Sequence, residues 1–338
     1  MEPHMTKEQL REMEEKEKTW LEKRLDVVFL LFPLACGLFA IWEYWEIPNL
    51  RKNKDPMTYV YFLLFFMVLY AVFLVYGVLG KKKRLVDKLR YMAPLYGVLF
   101  LVLSLYDYMT LKTGALRYPF FPWFNDIFNI MIEDRAYLLE CAAHTLRLLF
   151  TGYFCGAILG LITGITCGYS RRVRYWVDPI LKVLGPIPTS TWIPLMMVIA
   201  SSLFMGAVIV IGLGVWFSVT MASMTGISNV DVSYFEAART LGTKEHQMVF
   251  RVAIPHALPN IFQGLTQGMS IACTALMIAE MIGVEAGLGW YINWAKAWAQ
   301  YNKMYASIII ICLIFTAVTK LLGLIKSRAL RWQEGMVK

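Results

Sequence analysis

The sequence predicts an all-α polytopic membrane protein with about eight transmembrane helices. Of its 338 residues, 58% are hydrophobic and only 17% are charged, a balance that is typical of membrane proteins. The apolar residues form blocks of roughly 20, the length that a helix needs to cross a bilayer. Lysine and arginine are concentrated in alternate connecting segments, as the positive-inside rule predicts for a multi-pass chain.

Eight segments meet or approach the length of a transmembrane helix. They are residues 26–45, 58–79, 91–111, 146–168, 179–200, 203–222, 261–283 and 304–324. The fifth is the weakest, because Pro186, Pro188 and Pro194 interrupt it and proline breaks a helix. Residues 1–25 are densely charged and predict a cytosolic helix. No signal-peptide cleavage site follows the first apolar block.

The distribution of basic residues predicts the orientation of the chain. Most of its 33 lysines and arginines lie in the segments 1–25, 81–90, 171–182, 223–260 and 320–338. All of these are cytoplasmic if both termini are inside, so residues 326–338 are expected to form a cytosolic tail. This topology, with attraction to anionic membrane lipid, accounts for the net charge of +9. We therefore do not expect nucleic acid as a partner.

The longest predicted outer segment, residues 112–144, contains the aromatic stretch YPFFPWFNDIFNIMI. Aromatic residues are enriched at membrane interfaces, so this stretch predicts a helix on the outer surface, with contact to a delivering protein as the alternative. The six cysteines and four histidines are scattered along the chain. None has a partner at metal-ligand spacing, so no metal site and no catalytic cluster are predicted.

The fourth predicted span carries a glycine at every fourth position. These glycines are Gly152, Gly156, Gly160, Gly164 and Gly168. On a helix they form one smooth ridge that lets another helix approach closely within the bilayer. The ridge predicts tight helix packing, within this chain or with a second copy.

The seventh predicted span carries a polar stripe. Gln263, Thr266, Gln267, Ser270 and Thr274 fall on one face of a helix. Because polar side chains avoid hydrocarbon, we expect this face to look inward and to line a translocation path. Glu280 lies near the outer end of the same span. It is a further path candidate, with a buried pair or an exit to the headgroups as alternatives.

Residues 223–260 predict a helical hairpin between two spans. Ser233 and Glu236 match a capping box, so a helix is expected to begin near Tyr234. Gly242 fits the left-handed residue that ends it. Thr243 is expected to cap a second short helix that ends near residue 252, with Pro255 and Pro259 preventing its continuation into the next span. A DNA-reading helix-turn-helix is not favoured, since both ends are tied to membrane spans.

This stretch resembles the cytoplasmic loop of ABC importer permeases, which has the pattern EAA, three residues, G, nine residues, I-x-L-P. Here the pattern appears as Glu236-Ala237-Ala238, Gly242 and Val252-Ala253-Ile254-Pro255, with valine for isoleucine and isoleucine for leucine. The likeness extends from about residue 91 to 325. Its other motifs, such as DPILKVLGPIPTSTWIPL and AEMIGVEAGLGW, resemble the nitrate/sulfonate/taurine branch of the type I binding-protein-dependent permeases.

The resemblance implies a permease domain over residues 91–325, preceded at 26–90 by two spans beyond the six that are usual in the family. It implies a homodimeric or heterodimeric pore subunit in a prokaryotic cell membrane. The partners would be cytoplasmic ABC ATPase subunits and an extracytoplasmic substrate-binding protein. No cofactor is expected on this chain, and it is not expected to be an enzyme. Its nearest match to a phosphate loop, GVLGKKKR at 77–84, lacks the GxxxxGK[ST] spacing, so ATP and Mg²⁺ would be bound by the ATPase.

The resemblance also implies roles for the loop residues. Its first helix would enter a cleft of the ATPase, and Ala237 and Ala238 would keep that helix thin. Glu236 would pair with a cation of the ATPase or support its own helix cap. Gly242 would set the angle to the second helix, and Pro255 would stiffen the return to the membrane.

The resemblance suggests a small anionic solute such as nitrate, a sulfonate, taurine or bicarbonate. A heterocyclic vitamin precursor is the alternative within the family. Outside the family, an ion-coupled carrier or channel that uses Glu280 and the polar stripe is a second hypothesis. A membrane enzyme or receptor scaffold is a third, although no nucleophile–base pair supports it.

Overall fold

The computed structural model describes residues 20–332, except for the side chains of residues 21–23. Within this range every regular element is helical. The chain divides into two compact units, Met1–Ile132 and Glu133–Lys338. The first unit extends to residue 132 because the third long helix packs on the first. Most of the charged segment 1–25 and the end of the predicted tail lie outside the described residues.

The N-terminal unit consists of three long helices and one short one. They are α1 (Trp20–Glu46), α2 (Met57–Leu79), α3 (Lys83–Asp107) and α4 (Phe124–Glu133). A π-helical turn, Tyr108–Lys112, continues α3. The three long helices are apolar enough to cross a membrane. Glycines allow them to approach each other, since Gly97 of α3 lies against the Phe32 ring of α1.

The C-terminal unit contains the remaining helices. They are α5 (Arg135–Tyr169), α6 (Arg171–Leu184), α7 (Ile193–Ile199), α8 (Leu203–Ser228), α9 (Val232–Thr240), α10 (Glu245–Gln247), α11 (Ile254–Ile282), α12 (Leu288–Ala297) and α13 (Tyr301–Ala329). A 3₁₀ turn, Thr189–Trp192, precedes α7. A π-helical turn, Met248–Ala253, joins α10 to α11.

The described residues contain seven helices that are long and apolar enough to cross a membrane, and not eight. The predicted span 179–200 is wrong as a continuous helix. Its residues belong to the end of α6, the 3₁₀ turn and the short α7. Pro186 and Pro188 cause the break, because proline lacks a backbone donor and disfavours helical geometry in the residue before it.

The packing of α5 on α8 shows where this broken segment runs. Gly152 of α5 faces Ile211 of α8, and Gly168 faces Ile227. Residue numbers rise in the same direction on both helices, so α5 and α8 are parallel. The chain between them must therefore return along their length, a distance of roughly 24 Å at 1.5 Å per residue. Residues 170–202 make this return as a broken segment.

Helix α11 packs against α8 in the opposite direction. Gly226 near the end of α8 faces Asn260 near the start of α11, whereas Gly268, further along α11, faces Val215, which lies earlier in α8. The Ser218 hydroxyl donates to the Gly264 carbonyl oxygen over 3.3 Å. The largest buried apolar cluster lies among α5, α8 and α11, so these three helices form the core of the unit.

Candidate functional site

The five predicted glycines lie against α8 of the same chain. A Cβ atom on any of them would come within 2.9 Å of an α8 atom, closer than carbon atoms pack. Gly156 is the tightest, because its Cβ would meet the backbone of Gly212 as well as Val215. The ridge therefore sets the spacing between the two parallel helices.

Four of the five stripe residues, all except Thr266, line two adjoining cavities, the first between α8, α11 and the broken segment and the second between α8 and α11. The first cavity, of about 520 Å³, is lined by Gln267, Ser270 and Thr274 of α11. The second, of about 490 Å³, is lined by Gln263 and again Gln267. Gln267 thus lies where the cavities meet.

Further neutral hydrogen-bonding groups complete these cavities. Thr189 and Ser190 of the 3₁₀ turn line the first, and Asn229 and Asn260 line the second. These four residues were not predicted from the sequence as path residues, although the proline-rich stretch 186–194 was a usable signal. Irregular backbone at membrane depth is tolerated where it borders a cavity. None of the lining residues named for either cavity is ionisable.

The hydroxyls of the stripe are already engaged with their own helix. Ser270 donates to the Thr266 carbonyl oxygen over 3.4 Å, and Thr274 donates to that of Ser270 over 3.1 Å. Their oxygen atoms therefore present acceptor lone pairs to the first cavity. Within the described residues Gln267 makes no side-chain hydrogen bond, so its amide retains both donors and an acceptor for a solute.

Glu280, the further path candidate, does not line either cavity. It is only 1% exposed and lies between α5 and the turn before α12. Its Oε2 accepts hydrogen bonds from the Thr145 hydroxyl at 3.1 Å and from the Gly289 amide at 2.8 Å. The turn can cover it because Gly287 has a φ of +121° and a Cβ there would lie 2.5 Å from Glu280 Cδ.

The first helix of the predicted hairpin at 223–260 begins two residues earlier than expected. The first helix, α9, is capped by Asp231, whose carboxylate accepts from the Ser233 amide over 2.9 Å, and not by Ser233. Aspartate at this position satisfies a free backbone donor of the helix start. The two hydrogen bonds to Ser233 hold the pKa of Asp231 below its usual value.

Gly242 ends α9 in a Schellman motif. Its φ is +73°, its amide donates to the Arg239 carbonyl, and the Thr243 amide donates to that of Ala238. These are the two bonds that define the motif. A Cβ on Gly242 would have no atom within 4 Å, so the demand for glycine arises from the backbone and not from crowding.

The second half of the hairpin differs from the prediction. Its cap is Lys244, whose amide donates to Gln247 Oε1 over 3.1 Å, and not Thr243. Helices α10 and α11 are also continuous through the π turn, so Pro255 and Pro259 do not separate the hairpin from the membrane span. The widened turn accounts for this, because Pro255 lies two residues after it, where a missing backbone donor is tolerated.

The face of α9 that bears Glu236 and Ala237 is exposed. Within the described residues Glu236 is exposed and makes no hydrogen bond or ion pair, so it does not support its own cap. Ala237 is also exposed, whereas Ala238 is buried against the chain. Two large apolar side chains of the hairpin are also exposed, with Leu241 85% exposed and Phe250 69% exposed. Exposed apolar side chains around an open helix face are typical of a protein-binding surface.

The face of α9 that bears Phe235 packs against the end of α5. The Phe235 ring packs edge-on to Tyr169 with 6.3 Å between centroids, and the Tyr169 hydroxyl donates to Glu245. Phe235 also joins a buried cluster with Ala253 and Ala257. The hairpin is therefore packed against both α5 and α11, two of the three core helices.

A known protein family matches the part of the chain that contains both the hairpin and the cavities. The model of the family described as "Binding-protein-dependent transport system inner membrane component" matches residues 156–331. This range includes most of the glycine ridge, both cavities and the whole hairpin.

Three relatives illustrate the similarity. A protein named as an aliphatic sulfonates transport permease of Bacillus subtilis is 35% identical over 183 residues, 54% of this chain and 66% of the relative. The taurine transport system permease protein of Escherichia coli is 28% identical over 36% of this chain and 45% of its own. The nitrate import permease protein of Synechococcus elongatus is 26% identical over 31% and 37%. The chain thus spans less than two thirds of the length of each.

Proposed function

This chain belongs to the family of binding-protein-dependent transport system inner membrane components, and from this membership we propose that it is the permease subunit of an ABC importer. A separate cytoplasmic ATPase would drive it, and an extracytoplasmic binding protein would deliver its solute. The observation that carries the proposal is the continuity of Glu245–Ile282 as a single 38-residue helix. That helix joins the open hairpin at one end to the polar cavities along its length.

The exposed face of α9 is the proposed contact for the ATPase. Glu236 has no partner within the described part of the chain and Ala237 leaves the face narrow, so a groove on another protein can receive both. Leu241 and Phe250 would be covered on docking. Mg²⁺ and ATP would be held by the ATPase, and this chain would have no enzymatic activity of its own.

Substitutions at Gly242 test this proposal. Asparagine adopts positive φ readily and valine does not, while the Cβ atom that either adds has no atom within 4 Å. We expect Gly242→Asn to retain most ATPase stimulation and solute uptake in proteoliposomes. Gly242→Val should reduce both at least tenfold, with unchanged membrane yield. Equal activity of the two variants would contradict a role for the hairpin angle.

Charge reversal provides a second test. Glu236→Lys should abolish co-purification with the ATPase or its stimulation. Glu285→Lys is the matched control, because Glu285 is also exposed but follows α11 at its opposite end. If both variants stimulate the ATPase as the unmodified chain does, the open face of α9 is not the contact.

We propose that the solute is a small anion such as nitrate, a sulfonate, taurine or bicarbonate, and a heterocyclic vitamin precursor is the second candidate. The names of the relatives support the first candidate. The cavities support a small polar solute, because the neutral side-chain amides that line them can donate hydrogen bonds to the oxygen atoms of an anion without holding it by charge. An ion-coupled carrier is less well supported, since Glu280 is buried away from both cavities.

Gln267 is the residue with which to test the path. Gln267→Leu removes the amide at the junction of the cavities while keeping a similar volume. We expect uptake of the delivered solute to fall about tenfold or more, since a polar solute then loses its hydrogen-bond partner, with basal ATPase activity unchanged. Thr319→Val is the control, because Thr319 of α13 is exposed and bonds only to its own helix. Unchanged uptake by Gln267→Leu would place the path elsewhere.

The cytoplasmic placement of both termini is also a proposal. Seven helices alone would put the ends on opposite sides of the membrane. The return of residues 170–202 between the parallel α5 and α8 supplies a further crossing, so the ends fall on the same side. Dimer formation is likewise proposed from the family and is measurable by light scattering of the purified chain.

A further inference from the structure

A buried acidic cluster lies inside the N-terminal unit, which supplies none of the residues that the proposed transport function uses. We define the acidic cluster as Glu43 of α1, Tyr59 of α2, and Ser104 and Asp107 of α3. None of these residues is more than 4% exposed. The Ser104 hydroxyl donates to Glu43 Oε2 over 3.2 Å and so ties α3 to α1. Each of the three long helices contributes at least one oxygen.

Four oxygen atoms of the acidic cluster have no hydrogen-bond partner within the described residues. They are Glu43 Oε1, the Tyr59 hydroxyl and both carboxylate oxygens of Asp107. Ser104 and Asp107 are three residues apart and so lie on one face of α3, and Ser104 contacts Glu43. The Tyr59 ring packs 5.3 Å from that of Tyr44, the residue next to Glu43, so these side chains share one region. Leaving a buried polar atom unpaired costs about 1–3 kcal/mol, and more for a charged group, so four together favour a bound ligand.

The rest of the polar network in this unit is satisfied, so the unpaired atoms are exceptions. The Asn125 side chain accepts from the Tyr59 amide over 3.1 Å and donates to the Lys54 carbonyl oxygen over 2.6 Å. The Tyr44 hydroxyl donates to the Pro56 carbonyl oxygen over 3.0 Å and accepts from Asn53. Among the described residues of this unit, unpaired buried side-chain atoms occur only in the acidic cluster.

Lys112 is close but does not pair with the carboxylates. Its ammonium group donates to the carbonyl oxygens of Tyr44 and Ile47, each over 2.6 Å, and to Asn49 Oδ1 over 2.7 Å. An ammonium group has three donors, so all are used to cap the end of α1. The two carboxylates and this ammonium leave a formal charge of −1, and no hydrogen-bond donor is left for Asp107.

We propose that the acidic cluster binds a monovalent alkali cation such as sodium. Carboxylate and hydroxyl oxygens are hard ligands that suit a hard cation, and a single positive charge neutralises the site. A divalent ion would leave an excess positive charge beside Lys112. The described residues contain no group of three His, Cys, Asp or Glu side chains that would suit a transition metal. A proton shared between Glu43 and Asp107 would require a direct hydrogen bond, which the two groups do not make.

Ion-dependent stability of the full chain in detergent tests the proposal. Thermal unfolding followed by tryptophan fluorescence is measured in NaCl, with choline chloride at the same ionic strength as the reference. A ligand that binds only the folded state stabilises it in a concentration-dependent way. We expect the unfolding temperature to rise by about 2 °C or more with sodium and not with choline. Equilibrium binding of radioactive sodium should saturate at a single ion per chain.

Three variants make the test specific. Asp107→Asn, Glu43→Gln and Tyr59→Phe each keep the side-chain shape and remove a ligand or its charge. We expect each to lower sodium affinity at least tenfold. Asp107→Asn should also unfold at a higher temperature than the unmodified chain when sodium is absent, because it removes an unpaired buried charge. If one variant fails to accumulate, the other two still decide the outcome.

Glu46→Gln is the matched control, because Glu46 lies one turn from Glu43 but is exposed, and it should keep full sodium dependence. The proposal fails if sodium and choline give the same stability and no sodium binds. It also fails if stability responds to pH alone and the Asp107 variant removes that response, which would indicate a protonated carboxyl group. Because no transport is measured, the result is independent of the importer proposal.

Discussion

Replacing Gly156 by alanine tests whether backbone contact sets the spacing of the core helices. The added Cβ would lie 2.8 Å from Val215 Cβ and 2.9 Å from Gly212 Cα, and it would also overlap the Gly212 carbonyl oxygen. Backbone atoms cannot rotate away as a long side chain can. The two helices must therefore separate by several tenths of an ångström, and this opens the interface along its length.

The expected change is the difference between two opposing effects. Alanine favours a helix over glycine by about 0.5–1 kcal/mol, whereas overpacking a close interface costs about 1–3 kcal/mol. Because the obstruction is backbone, we expect a net loss of about 1–2 kcal/mol in the free energy of unfolding. The measurement is equilibrium unfolding in mixed micelles with increasing SDS, followed by tryptophan fluorescence.

Two other glycines provide controls for this prediction. A Cβ on Gly212 of α8 would have its nearest contact at 3.5 Å, and one on Gly323 of α13 would have none within 4 Å. Gly212→Ala and Gly323→Ala should therefore be neutral or stabilising by up to about 1 kcal/mol. If Gly156→Ala were as stable as these variants, the inference from the contact distances would be refuted. If it lost dimerisation and kept its stability, the ridge would act between copies of the chain.

Two further predictions concern polar links in the C-terminal unit. Thr145→Val should lower the free energy of unfolding by about 2–4 kcal/mol, because the Thr145 hydroxyl donates to Glu280 and accepts from the Leu288 amide. Thr145→Ser keeps the hydroxyl and should retain most of the unfolding free energy measured in SDS. An equal loss of stability in both variants would show that these hydrogen bonds have no role. Asp134 is partly buried, which raises its pKa, but Lys303 and a tyrosine hydroxyl together hold that pKa below the usual value. The ion pair between Asp134 and Lys303 should therefore stabilise the protein above about pH 4, and this stabilisation should be lost as the pH falls through the lowered pKa. The measurement is the free energy of unfolding across that pH range, in which Asp134→Asn should not show the loss.

The membrane helices could be predicted because their signal is local. A run of about 20 apolar residues has no other stable place than a bilayer or a large core, and the glycine ridge and polar stripe follow from helical periodicity alone. The positions of α5, α8 and α11 were predicted in this way. The helix that packs against the glycine ridge could not be predicted, because periodicity shows that a face is smooth and does not show what covers it.

Features that depend on tertiary contacts could not be predicted. Pro255 is normally a signal to end a helix, but the π turn before it absorbs the defect, and no sequence rule places such a turn. Glu280 belongs to a stripe-bearing helix, yet its environment is set by Thr145 and by the Gly287 turn, which lie far away in sequence. Glu43 and Asp107 lie near the ends of their spans and resemble ordinary interfacial charges until α1 and α3 are packed together.

The continuity of the helix from Glu245 to Ile282 limits how the proposed importer can work. Gln267 lies 22 residues from Glu245, roughly 33 Å along the axis, and the segment between them contains a π turn but no loop. A displacement of the hairpin therefore reaches the cavities as a tilt or rotation of α11. It cannot be absorbed by a flexible linker. Because Phe235 and Tyr169 hold the same hairpin to α5, the displacement acts on two core helices at once. Truncating Phe235 to alanine should thus weaken the coupling of ATP hydrolysis to uptake even if the ATPase still binds, whereas an ATPase that worked through α11 alone would leave that coupling intact.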